Sequence, residues 1–91
     1  MSDSVNRKIK SVASNIRKIR VHRNYSQEYL AIKLNISQNA YSKIELGYTR
    51  ITLERLFNIA IILDIDPIAL LNIENSESIQ IALNNTAPSF Q

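Results

Sequence analysis

Ser26-Gln-Glu-Tyr-Leu-Ala-Ile-Lys-Leu-Asn-Ile-Ser-Gln-Asn-Ala-Tyr-Ser-Lys-Ile-Glu-Leu-Gly47 is the stretch on which the reading of this chain turns. Apolar residues Leu30, Ala31 and Leu34 recur at i, i+1 and i+4, which predicts a short helix over about Gln27 to Leu34. Tyr41 and Ile44, three apart, predict a second helix over about Gln38 to Leu46. Between them stand Asn35, Ile36 and Ser37. Asn accepts a left-handed backbone better than most residues with a Cβ, so Asn35 can end the first helix. Ile36 can plug the corner, and Ser37 can cap the second helix by accepting from its free N–H groups. Ala31 is the small residue that two steeply crossed helices need where their backbones approach.

With Leu30, Leu34, Ile36, Tyr41 and Ile44 turned inward, the second helix is left with a polar outer face of Gln38, Asn39, Ser42 and Lys43. Gln38 and Ser42 are i,i+4 neighbours, as are Asn39 and Lys43, so the four share one side. Gln and Asn pair bidentately with adenine in the major groove, Lys donates to guanine O6 or N7, and Ser serves either. The competing reading of the same residues is a helix pair in a small bundle with a solvated polar face.

Outside this stretch, the chain of 91 residues has the length of one domain, and 45% apolar residues suffice for a modest core. One Gly, two Pro and no sustained period-two alternation point to an all-α fold. The absence of Cys excludes disulfides and thiolate metal sites and fits a reducing cytoplasm. No run approaches the ~18 apolar residues of a membrane span, and MSDSVNRKIK lacks a signal-peptide core. One His, no Gly-rich phosphate loop and no clustered carboxylates leave no catalytic constellation, metal site or cofactor site, and an enzyme is not expected.

The net charge of +3 conceals an asymmetry. Residues 1–50 hold ten Lys/Arg against three Asp/Glu, a balance of +7, whereas residues 51–91 hold one against five, a balance of −4. A basic half that coincides with the helix pair implies a polyanionic partner, with the acidic half facing away.

The matching residues SQEYLA, the turn NIS and the ending YSKIELG resemble the helix-turn-helix of the phage-repressor and Cro-like (XRE-like) family. The resemblance covers about Val12 to Leu71. It departs from the family at Asn35, where Gly is usual, and in YTRIT, which lacks the Pro often found in that loop. It implies a five-helix repressor-like domain that binds double-stranded DNA as a homodimer on a palindromic operator. Gln27, at the N-terminus of its helix, falls on the family's phosphate-contacting Gln. Arg20 and Glu45 fall on the positions of an Arg–Glu pair that holds the recognition helix, and Arg20 could still lean toward a phosphate. Loops such as Tyr48–Thr49–Arg50 often lie along the DNA backbone, which adds Tyr48, Arg50 and, on the first helix, Arg17 to the expected phosphate contacts.

In chain order, residues 1–10 read as a polar arm that either frays or extends the first helix. Residues 11–73 read as the DNA-binding domain. Its first helix runs from about Ser11 to Arg23, with Val12, Ile16 and Ile19 inward and Arg17, Lys18 and Arg23 outward. His22 reads as an ordinary surface residue and Tyr25 as part of the core. Gly47 suits a left-handed position after the recognition helix. Thr52 reads as the cap of a helix reaching Leu63, whose apolar set Leu53, Leu56, Phe57, Ala60, Ile61 and Leu63 wraps more than one face and predicts a buried central element. Asp66 and Pro67 start a last helix over about Ile68 to Asn72. Ile62, Ile65, Ile68 and Ile73 exceed what a five-helix core needs, and the family's two-fold contact commonly lies here. Ile65, Ile68, Ile73 and Ile79 are therefore the expected dimer residues. Residues 74–91 form a C-terminal extension. There, Ile79, Ile81 and Leu83 suit a strand and Ile79, Ala82 and Leu83 a short helix. The helical reading would add a sixth helix over about Ser76 to Asn84. The expected function is a sequence-specific transcriptional regulator. The alternative is an antitoxin-type protein-interaction module with weak DNA binding.

Overall fold

The computed structural model describes residues 3–72. Five helices follow one another: α1 (Asp3–His22), α2 (Gln27–Leu34), α3 (Gln38–Glu45), α4 (Leu53–Leu63) and α5 (Pro67–Leu71). The fold is all-α, as the sequence patterning requires. Helix α1 starts at Asp3 rather than near Ser11, so the polar residues before Ser11 extend the helix instead of fraying. The expectations that fall on Ile73, Ile79 and residues 74–91 lie outside the described residues.

Local chemistry sets the corners. Ser26, Ser37 and Thr52 sit in extended conformation, and each side-chain oxygen accepts from the backbone N–H three residues on, at 3.0, 3.0 and 3.1 Å. Asp66 caps α5 in the same manner, accepting from Ile68 N–H at 2.9 Å, with Pro67 in the first turn where no N–H is needed. At the far ends, Asn35 (φ 59°) and Asp64 (φ 55°) take left-handed conformations, and their N–H groups return to carbonyls of the last turn. Both are residue types whose short polar side chains tolerate that region.

The core is assembled from one stripe of each helix. Ile16 and Ile19 come from α1, Leu30 and Ala31 from α2, Tyr41 and Ile44 from α3, Leu56, Ile59, Ala60 and Leu63 from α4, and Leu70 from α5. Ala31 is buried where α2 meets its neighbours, and Ile36 packs against the core from the α2–α3 corner. Tyr25 also packs there, its ring 4.7 Å from that of Tyr29.

Three expectations are corrected. Helix α4 is not enclosed: it buries Leu56, Ile59, Ala60 and Leu63 but leaves Leu53, Phe57 and Ile61 exposed in one i,i+4,i+8 stripe. Helices α1, α2 and α5 pack on α4 from one side, and among the described residues no element covers the other. Ile65 is 1% exposed and fills the core beneath the α4–α5 turn, so it is unavailable to a dimer surface, whereas Ile68 is 73% exposed. Arg23 points back rather than outward. Its Nε and Nη2 donate to Leu63 O and Asp64 O, both at 2.9 Å, satisfying carbonyls at the end of α4.

Gly47 follows α3 with φ +77°. A Cβ there would lie 2.8 Å from Lys10 Cγ and 3.2 Å from Lys10 Cα, so the N-terminal part of α1 presses directly on the loop. Gly47→Ala therefore combines left-handed strain of about 1–2 kcal/mol with a steric clash against α1. It should lower the midpoint of chemical denaturation, and an unchanged midpoint would contradict this packing.

Candidate nucleic-acid interface

The second and third helices bring the predicted polar residues together on one surface. Gln38, Asn39 and Lys43 are exposed on α3 and Ser42 is half-buried. The opposite side of α3 buries Tyr41, Ile44 and Glu45. Tyr41 and Ile44 enter the core, so the outer residues are held by hydrophobic contacts one turn away.

Glu45 fixes the helix laterally. Arg20 Nε donates to its Oε2 at 2.7 Å and Arg20 Nη2 to its Oε1 at 3.1 Å, a forked contact between α1 and α3. Tyr41 Oη donates to Oε2 at 2.5 Å, and Gln27 Nε2, at the start of α2, donates to Oε1 at 3.1 Å. Arg20 Nη1 is in turn held by Tyr25 O at 2.8 Å. Burial by itself would raise the Glu45 carboxyl. The hydrogen bonds from Arg20, Tyr41 and Gln27 outweigh it and hold the group below its ordinary value. The Glu45 hydrogen bond raises the Arg20 guanidinium against the opposing effect of burial. Tyr41 is pushed well above its ordinary range by desolvation and by its bond to Glu45. The network is therefore an anion, a cation and a neutral phenol at neutral pH.

This placement refines two of the expected phosphate contacts. Arg20 is 9% exposed, and its Nε, Nη1 and Nη2 each donate inward, which places it in the scaffold behind α3. Gln27 gives one of its two amide N–H groups to Glu45. Arg17, Tyr48 and Arg50 are exposed. Tyr48 and Arg50 lie beside Asn6, Ile9 and Lys10 of α1, because α1 begins so early. Arg50 also shares a half-open cleft of about 450 Å³ with Asn39 and Lys43 of α3. Lys33 is set over the Tyr29 ring, 5.9 Å from its centroid.

Two structural residues escaped the sequence reading. Asn15 is buried, and its Nδ2 donates to Leu70 O and Asn72 O at 3.0 and 3.1 Å, tying α1 to the end of α5. Arg55 is the other, drawn into the cleft beside Lys43 and Arg50. Asn15 carries no local signal, since its partners are remote in sequence. Among the described residues, no group of three or more His, Cys, Asp or Glu is placed to hold a metal ion. No helix there is long and apolar enough to cross a membrane.

Two crossed helices with a left-handed Asn corner, a polar outward face on the second and a buried lock behind it define a helix-turn-helix domain. The pattern of the family described as Helix-turn-helix matches residues 16–70, and the chain belongs to that family, in its Cro/C1-type XRE branch. No curated protein and no solved structure matches the chain.

Glu45 supplies a pH dependence with a fixed sign. Its folded value lies below the ordinary value of 4.5, so its contribution to stability is present above about pH 4.5 and is lost as pH falls through the folded value. Thermal melts should show an acid limb that is shallower in Glu45→Gln. Arg20→Ala strands the buried carboxylate and should cost roughly 3–5 kcal/mol at neutral pH. Equal melting temperatures for Arg20→Ala and wild type would rule out the lock.

Proposed function

We propose that this protein is a sequence-specific regulator that binds a palindromic operator as a homodimer, with α3 of each subunit in the major groove. The observation that carries the reading is the α3 surface: Gln38, Asn39, Ser42 and Lys43 face away from a rigidly held scaffold, on a helix-turn-helix domain of a DNA-binding regulator family. In this reading those four residues read base edges. Arg17, Gln27, Tyr48 and Arg50 set register on the phosphates. Two-fold symmetry would place the recognition helices about 34 Å apart, one helical turn of DNA. The family argues against an enzyme. With no sensory domain in the described residues, control would act through concentration, dimerisation or a partner protein.

The exposed stripe Leu53, Phe57 and Ile61, together with Ile68, favours an apolar contact with a second subunit. The same stripe supports the second reading, an antitoxin-type module whose main partner is a protein.

Selection from a random duplex pool, followed by binding of the winner across a salt series, tests the proposal. A regulator enriches a palindrome with half-sites about one helical turn apart and binds it with a steep salt slope. A pool that stays random and binds only at low salt favours the protein-partner reading. Lys43→Ala should weaken the enriched site by roughly 1–3 kcal/mol and random DNA much less. Equal losses on both would reassign Lys43 to the backbone.

A further inference from the structure

The apolar stripe of α1 runs past the core. Val5, Ile9, Val12, Ile16 and Ile19 alternate at spacings of four and three, which keeps them on one face of the helix. Ile16 and Ile19 are fully buried and Val12 packs against the core, whereas Val5 and Ile9 lie beyond it, half-buried. Facing them across a groove of about 230 Å³ are Ile51, the first turns of α4 and the end of α5. Leu56 lies buried at the bottom, while Leu53 and Leu71 stand 68% and 51% exposed at the rim. The first turns of a helix hold only as well as their apolar face is packed. These turns also carry Lys10, which presses on Gly47 at the far side of α1.

Three observations say what covers the groove. The first is where the chain goes: Leu71 lines it, and residues 73–91 follow directly after Asn72. They hold the apolar cluster Ile79, Ile81, Ala82 and Leu83. At roughly 3.3 Å per residue, the seven steps from Asn72 to Ile79 reach about 23 Å. The α1 wall from Val5 to Val12 is only about 10 Å long, so all of it is within range. The second is charge. Arg7, Lys8 and Lys10 are exposed on this part of α1, against the single acid Asp3. Residues 73–91 carry Glu74 and Glu77 and no Lys or Arg, and both acids fall just before the apolar cluster. The third is size. The space is below the roughly 300–1,000 Å³ of small-molecule pockets and suits a few side chains instead.

We propose that the chain's own segment Ile79–Leu83 folds back in cis and fills this groove, with Glu74 and Glu77 passing beside the bases of α1. A tethered segment acts at an effective concentration in the millimolar range, which a second copy at micromolar concentration does not match. The contact braces the first turns of α1 and, through Lys10, the loop at Gly47. It removes Ile79 from the subunit contact. Phe57, Ile61 and Ile68 do not line the groove and stay open to a second subunit. The inference is independent of any bound duplex.

The test uses the full chain, free of DNA, in two NMR measurements. Methyl NOEs are recorded first on a uniformly labelled sample and then, with isotope filtering, on an equal mixture of labelled and unlabelled chains. NOEs from Ile79, Ile81 or Leu83 to Val5, Ile9 or Leu71 that stay within one molecule are expected. The same NOEs crossing between labelled and unlabelled chains would overturn the cis contact in favour of a swapped pair. No NOE from the cluster to the groove would overturn the docking outright. The second measurement compares amide exchange over residues 7–10 in wild type and in the triple variant Ile79→Ser, Ile81→Ser, Leu83→Ser. Removing this burial should quicken exchange there at least about ten-fold. Equal exchange rates in the two proteins would contradict the brace. The NOE measurement requires no variant, so the proposal stays falsifiable if the triple variant folds poorly.

Discussion

A buried carboxylate must be neutralised or surrounded by donors, and in this domain that demand falls on Glu45. Its two oxygens accept from Arg20 on α1, Gln27 on α2 and Tyr41 on α3 itself. Removing an ion from water costs several kcal/mol, so a carboxylate in this position holds together only while every partner keeps its place. Helix α3 cannot roll or slide without breaking at least one of these contacts. The network is better understood as a device for orientation than as a source of net stability, because a well-packed apolar replacement could be equally stable. Its neutral phenol and paired charges also mean that no buried side-chain polar atom among the described residues lacks a hydrogen-bond partner.

The same principle recurs where helices end. Terminal carbonyls have no intrahelical donors. Arg23, just past the first helix, supplies them at the end of α4, and Asn15, within that helix, supplies them at the end of α5. Helix α1 and the turn after it are thus the strut to which the other elements are tied: by Arg20 to the recognition helix, by Arg23 of the turn to α4, by Asn15 to α5 and by Lys10 to the loop at Gly47. Its early start at Asp3 gives it the reach to do so.

What the sequence disclosed follows the range of the interactions. Ser37, Asn35, Thr52 and the Asp66–Pro67 pair act within four residues of themselves, so their roles could be read directly. The positions of Gln38, Asn39 and Lys43 on an outer face followed from helical spacing once Tyr41 and Ile44 were placed inward. Asn15 and Arg23 act across 55 and 40 residues, and nothing near them in the chain marks their partners. Arg55 is a different case: its neighbours are close in sequence, but its charge belongs to an acidic half in sequence and to a basic cleft in space. Apolar content was the least reliable guide. Phe57 and Ile61 are as hydrophobic as Ile59 and Ile65, and only the layout of neighbouring helices decides that the first two are exposed and the others enclosed.

The side chains that hold α3 and those that face outward from it do not overlap. Tyr41, Ile44 and Glu45 are buried, while Gln38, Asn39 and Lys43 make no contribution to the lock. Mutation can therefore re-letter the outer positions one at a time without passing through an unfolded intermediate. If those positions read bases as proposed, a lineage built on this scaffold could drift from one target sequence to another by single substitutions, with the cost of each step borne by recognition alone.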